Sequence, residues 1–215
     1  MSHHIIQAGE SRSFPAPHAF LAGAVTDGDI QVYMGANAGV AFGSVNDRDR
    51  CAAILVELGE ECLGVYTGEA RGSEGSNVLG FARFRMGNAD PTNLIELVRQ
   101  PQTSAPALAA CKALFESFGF KVAVCSDVPG RIVNRLIRPY LNAGLRRLDE
   151  RLASANDLDT TLKMGLGYPE GPIALLERTG LAAHFDVTQA LYEWTGDAAF
   201  APARRARVAK LRDGS

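Results

Sequence analysis

The feature that most constrains this chain is a change of periodicity near Ser126. Before it, short apolar runs of strand length alternate with helical stretches, bounded by Gly, Pro, Asn and Asp. After it, apolar residues recur at three- and four-residue spacing almost to the end. The first pattern needs a small, mostly parallel sheet covered by helices, and the second needs helices packed on helices. The expected class is α/β followed by all-α, in two domains, residues 1–126 and 127–215. With 215 residues, both can hold a core.

Residues 1 to 17 are polar and carry Pro15 and Pro17, so a loose N-terminal arm is expected. Within it, the pair His3-His4 lacks a third ligand and reads as solvated rather than as a metal site. Asp29–Met34 reads as a strand. Asp47–Leu58 reads as a helix capped by Asp47, with Cys51, Ile54, Leu55 and Leu58 on one face. Cys62–Tyr66 reads as a second strand, Thr67–Asn77 as a loop, and Val78–Phe84 and Leu94–Val98 as further strands. Pro106–Phe118 is an amphipathic helix, and Lys121–Cys125 is the last strand. A long helix starts at Pro129 and runs to about Arg151, with Val133, Leu136, Ile137, Tyr140, Leu141, Leu145 and Leu148 on its apolar face. Ser154 caps the next helix, Pro172 opens another, and Leu181–Trp194 forms a further one. The long helix shows more apolar surface than its short neighbours easily cover, so burial in a homodimer is expected.

Net charge is -2, which offers no field for nucleic acid or an anionic membrane. No apolar stretch approaches the ~20 residues of a membrane span. Cys51, Cys62, Cys111 and Cys125 have no metal-ligand spacing and read as free thiols of a reducing compartment, so a cytoplasmic location is expected.

The segment Asp127-Val-Pro-Gly-Arg-Ile-Val-Asn-Arg-Leu136 is similar to the D-x-P-G-F-x-x-N-R-[LI] motif that begins the C-terminal domain of 3-hydroxyacyl-CoA dehydrogenases. Pro139-Tyr-Leu-Asn142, Asp157-Leu-Asp159, Lys163-Met-Gly165 and Gly167-Tyr-Pro-Glu-Gly-Pro172 follow in the family's order. Upstream, Gln102-Thr103-Ser104 looks like the segment leaving the nucleotide domain's last strand. Leu94-Ile-Glu-Leu-Val-Arg99 looks like its L-V-E-V-V-R strand, and Val78-Leu-Gly-Phe81 like the strand before the catalytic His. The resemblance spans about residues 29–205 and is strongest from Leu94 onward. It implies a partial Rossmann-like sheet plus the helical domain shared with 6-phosphogluconate dehydrogenases. It also implies NAD as the family's cofactor, an acyl-CoA as ligand, and dimerisation through the helical domain.

Oxidising a 3-hydroxyacyl thioester needs a base for the hydroxyl proton, an acceptor for the hydride and dipoles for the thioester oxygen. In the family the base is a His in an H-F-F-N-P segment, oriented by a Glu. Glu96 matches that Glu, although a structural ion pair or an exposed strand position would account for it equally. The His is absent: the matching stretch is Phe81-Ala-Arg-Phe-Arg-Met-Gly-Asn88, with Ala82 or Arg83 in its place. An Arg83–Glu96 pair is the obvious replacement, with Arg83 and Arg85 as candidates for a substrate carboxylate or phosphate. Thr67 is the one survivor of the family's N-T-S-S loop. Asn134 matches the Asn that faces the substrate thioester, unless it only hydrogen-bonds locally.

No G-x-G-x-x-G follows a strand, and Gly35-Ala-Asn-Ala-Gly39 lacks the third glycine, so no cofactor is expected. Arg131, Ala143-Gly144 and Glu170 depart from the family's residues and suggest a changed ligand. The basic tail from Arg204 to Arg212 could touch CoA phosphates, or form a solvated terminal helix. Two readings follow. One is a 3-hydroxyacyl-CoA dehydrogenase-like protein of acyl-CoA and fatty-acid metabolism without its own NAD site and His. The other is a non-catalytic dimer that binds an acyl-CoA or small acid, or partners a complete dehydrogenase.

Overall fold

The computed structural model describes residues 1–43, 48–69 and 76–214. They form two compact units, Met1–Arg85 with Pro91–Arg131, and Met86–Asp90 with Ile132–Ser215.

The first unit is a six-stranded sheet of β1 (His3–Gln7), β2 (Ile30–Met34), β3 (Ala53–Glu57), β4 (Val78–Arg83), β5 (Leu94–Arg99) and β6 (Lys121–Ser126), in that spatial order. All neighbours are parallel except β4 and β5. Its helices are α1 (Ala19–Ala22), α2 (Ala38–Gly43), α3 (Gly64–Thr67) and α4 (Ala105–Ser117). One sheet face buries Leu55, Leu79, Phe81, Ile95 and Leu97 against Phe14, Phe20 and Phe115. The other buries Ile54, Val56, Val78 and Val98 with Tyr33, Phe42 and Leu63.

Four expectations fail here. The N-terminal arm is not loose: β1 pairs in register with β2, and Ser11, Ser13 and Phe14 are buried. His3 is not solvated either; it is 1% exposed, and its Nε2 meets the Phe20 carbonyl at 2.8 Å. The helix expected over Asp47–Leu58 is a short 3₁₀ turn, Arg48–Arg50, followed by β3, while Asp47 itself lies outside the described residues. Every residue of β3 is buried because both sheet faces are covered. A doubly covered strand loses the apolar–polar alternation and reads like a helix face. The strand expected over Cys62–Tyr66 is instead the loop into α3, one helical turn. Its first backbone N–H groups, at Leu63 and Gly64, donate to the Asp127 carboxylate at 2.7 and 2.8 Å. That partner lies 64 residues away in sequence, beyond the reach of a local pattern.

The second unit holds α5 (Val133–Asp149), α6 (Ala155–Leu166), α7 (Pro172–Thr179), α8 (Leu181–Thr195) and α9 (Arg204–Asp213). α5 begins after Pro129 because Gly130 and Arg131 are left-handed, with φ of 72° and 54°. The Ser154 hydroxyl caps α6 through Asp157 N, as expected. Asp159 on α6 accepts from Ile173 N and Ala174 N, which fastens the first turn of α7. The expected apolar face of α5 is displaced. Its buried stripe is Asn134, Arg138, Leu141, Asn142 and Leu145, whereas Leu136 is 74% exposed. The helical period is right, but polar residues occupy the inner face.

Candidate functional site

Antiparallel pairing places Ala82 directly opposite Glu96, and parallel pairing places Ala123 on its other side. Cross-strand partners share a face. Arg83 pairs with Ile95 and so projects to the opposite face. This corrects the expected Arg83–Glu96 pair, because adjacent residues of a strand cannot share a side. Arg83 instead donates to the carbonyls of Thr92 and Pro91, and it lies over the Phe14 and Phe120 rings at 5.5 and 5.2 Å. It straps the β4–β5 connection to the aromatic layer.

The small side chains beside Glu96 leave room, and a guanidinium takes it. Arg131 Nε lies 3.4 Å from Glu96 Oε2, and Nη2 lies 4.0 Å from Glu60 Oε2. Arg12 Nη1 reaches the other Glu60 oxygen at 3.0 Å. Charge alternates along this row: Arg12, Glu60, Arg131, Glu96. Glu96 is 1% and Arg131 5% exposed, so partners are required for both. The Nη1 atom of Arg131 has no hydrogen-bond partner among the described residues. An arginine stays protonated and cannot take a substrate proton.

Thr67 Oγ1 donates to Gln100 Oε1, and Gln100 Nε2 donates to Asp127. Thr67 thus joins a relay that ties α3 to the ends of β5 and β6. Arg85 lines an open trough with Arg12, Glu10 and Phe14. All four cysteines are free thiols. Burial pushes Cys62 and Cys125 up to about 11 and Cys111 to about 12, which keeps them protonated and unreactive.

In the helical unit, Asn134 and Arg138 stand one turn apart, and Arg138 Nε donates to Asn134 Oδ1 at 3.0 Å. Arg138, wholly buried, places Nη1 2.9 Å from His184 Nδ1. His184 Nε2 lies 3.0 Å from Asn142 Oδ1. Asn142 Nδ2 faces the carbonyls of Ala199, Phe200 and Ala201, each at 3.2 Å. Burial first, and then the Arg138 charge, push His184 down to about 3, so it is neutral. The motif singled out Asn134 as a candidate but not Arg138, His184 and Asn142, which the structure joins to it by hydrogen bonds. The available signal was Asn134, Arg138 and Asn142 at i, i+4 and i+8, a polar stripe in a helix read for its apolar one.

The fold and these motifs are similar to those of hydroxyacyl-CoA dehydrogenases. Residues 130–212 match the family described as 3-hydroxyacyl-CoA dehydrogenase, C-terminal domain. The chain is 40% identical over 102 residues to the mitochondrial hydroxyacyl-coenzyme A dehydrogenase of Sus scrofa, covering 47% of this chain and 32% of that protein. The matched stretch thus spans about a third of such a relative. Among solved structures, the (S)-3-hydroxybutyryl-CoA dehydrogenase of Ralstonia eutropha aligns with a TM-score of 0.70 at 24% identity, covering 90% of this chain and 71% of that one. A further neighbour, a pyridine-carboxylic acid 5-dehydrogenase described as an NAD+ dependent dismutase, aligns with a TM-score of 0.50 at 18% identity over 82% of this chain and 57% of that one.

These findings correct the expectation of no cofactor. The relatives are dehydrogenases, whose hydride needs an acceptor, and the family implies NAD. The crest of the sheet in this chain does not fit a dinucleotide held in the usual way. The buried Glu57 carboxylate accepts from Gly35 N and Ser13 N at 2.7 Å and from Ser11 Oγ at 2.9 Å, taking donors that a pyrophosphate would use. The helix that follows β1 is the single turn α1.

Proposed function

We propose that the protein is a 3-hydroxyacyl-CoA dehydrogenase-like protein of acyl-CoA and fatty-acid metabolism. In this reading it takes an acyl thioester at Asn134 and acts in the cytoplasm as a homodimer through its helical unit. The observation that carries the reading is the family match over residues 130–212, which contains Asn134 within its motif. Support for the dimer comes from the apolar side chains that unit exposes, among them Leu136, Met164 and Leu166.

A second reading is favoured by Ala82 opposite Glu96 and by Arg131 beside it. Here the protein binds an acyl-CoA or small acid without proton abstraction, or partners a complete dehydrogenase. Thermal melting with acetoacetyl-CoA, CoA and NADH, each alone, tests both. A ligand at a hundred times its Kd adds about 2.7 kcal/mol of stability. A rise with acetoacetyl-CoA is expected, and its absence sinks the thioester reading. A rise with NADH, together with turnover of acetoacetyl-CoA, favours the dehydrogenase over the binding protein. Mixing with a full-length homologue and weighing the species by native mass spectrometry tests the partner role through heterodimers.

A further inference from the structure

We infer that Arg138 and His184 are positioning residues that orient the Asn134 carboxamide so that its Nδ2 donor, not its Oδ1 acceptor, is presented to an acyl thioester. The inference rests on the proposal that Asn134 meets that thioester.

The polarity of the network follows from one donor-only group. A guanidinium has no acceptor, so Arg138 must donate to Asn134 Oδ1 and to His184 Nδ1. His184 Nδ1 therefore carries no proton, and in a neutral ring the proton sits on Nε2. Nε2–H then donates to Asn142 Oδ1, which leaves Asn142 Nδ2 to donate to the carbonyls of Ala199, Phe200 and Ala201. Every orientation in the row is set by its neighbour. The far end is anchored on the main chain after α8, and the near end turns Asn134 Oδ1 inward.

An asparagine amide is nearly symmetric in shape, so packing alone does not choose between its two orientations. For a thioester carbonyl the choice matters. Nδ2–H donates to the oxygen and stabilises charge that develops there, whereas Oδ1 would set lone pair against lone pair. Arg138, one helical turn from Asn134 and wholly buried, makes that choice.

The test combines binding with a spectroscopic signature. Acetoacetyl-CoA and free CoA are titrated into the intact protein and into Arg138→Met, Arg138→Lys, Asn134→Ala and the Asn134→Ala/Arg138→Met double variant. Arg138→Met is expected to weaken acetoacetyl-CoA about tenfold, the size of one net hydrogen bond, and to leave CoA within about twofold. Lysine is also donor-only, so Arg138→Lys should recover most of the loss. The two single losses should not add, because both remove one donor. Equal weakening of both ligands, or additive losses, overturns the positioning role. Independently of any ligand, ¹⁵N NMR of the intact protein should show His184 neutral and protonated on Nε2. Protonation on Nδ1 overturns the inference even if the thioester binds. If acetoacetyl-CoA fails to bind while the Nε2–H form is seen, the proposed function falls and the polarity of the network stands.

Discussion

Glu96 was legible in the sequence as a carboxylate in an apolar strand that needs a partner. Its partner was not, because Arg83 is near in sequence and Arg131 is near only in space. Pleat geometry excludes the first, and a left-handed residue after Gly130 delivers the second. A non-glycine residue held at positive φ costs on the order of 1–3 kcal/mol, and the surrounding structure must compensate for it. Replacing Arg131 with Met would leave Glu96 short of its buried counter-charge. We expect a loss on the order of 3 kcal/mol, read by urea unfolding. A change inside the usual surface range of ~0.5 kcal/mol would show that the row of charges contributes little. A motif singled out Asn134 as a candidate, whereas Arg138 and His184 have no motif in one sequence and meet only when α5 and α8 are packed.

At the scale of elements, the serine-capped helices α4 and α6 were read correctly, whereas the helix expected after Asp47 was not. Ser104 accepts from Ala107 N at the start of α4, and Ser154 does the same for α6. Ser104→Ala should cost about 1 kcal/mol in an equilibrium unfolding measurement, and no cost would mean that water replaces the hydroxyl. The elements misread were those defined by distant partners. β3 is a strand because β2 and β4 flank it and helices cover both faces. α3 is a helical turn whose first N–H groups meet Asp127. Asp127→Ala should release both groups and loosen α3 selectively. Hydrogen exchange should quicken at Leu63 and Gly64 well before the sheet opens. Protection unchanged there would refute the capping role.

For the whole molecule, the neutral buried His184 predicts an acid limb. Its folded value lies near 3 and its unfolded value near 6.5, so between those pH values the unfolded chain binds the proton and the folded chain does not. Stability should therefore rise with pH across that window and be flat with respect to this group above it, with a slope of up to ~1.4 kcal/mol per pH unit. His3 and His18, also lowered by burial, add in the same sense. Urea midpoints measured from pH 4 to 7 should show a shallower rise in His184→Gln. An identical slope would place the effect elsewhere. The exposed Leu136, Met164 and Leu166 make a second prediction for the molecule, that sedimentation finds a dimer. A monomer at every concentration would leave that surface unexplained.

Sequence alone determined the class, the helical second half and its family resemblance, because capping residues and linked motifs are local and survive without tertiary context. Tertiary structure decided which face of α5 is inside, that Ala82 rather than Arg83 opposes Glu96, and that Arg131 fills the space beside it. Those outcomes depend on strand register and on side chains distant in sequence, and the burial energy that selects among them exists only once the elements pack.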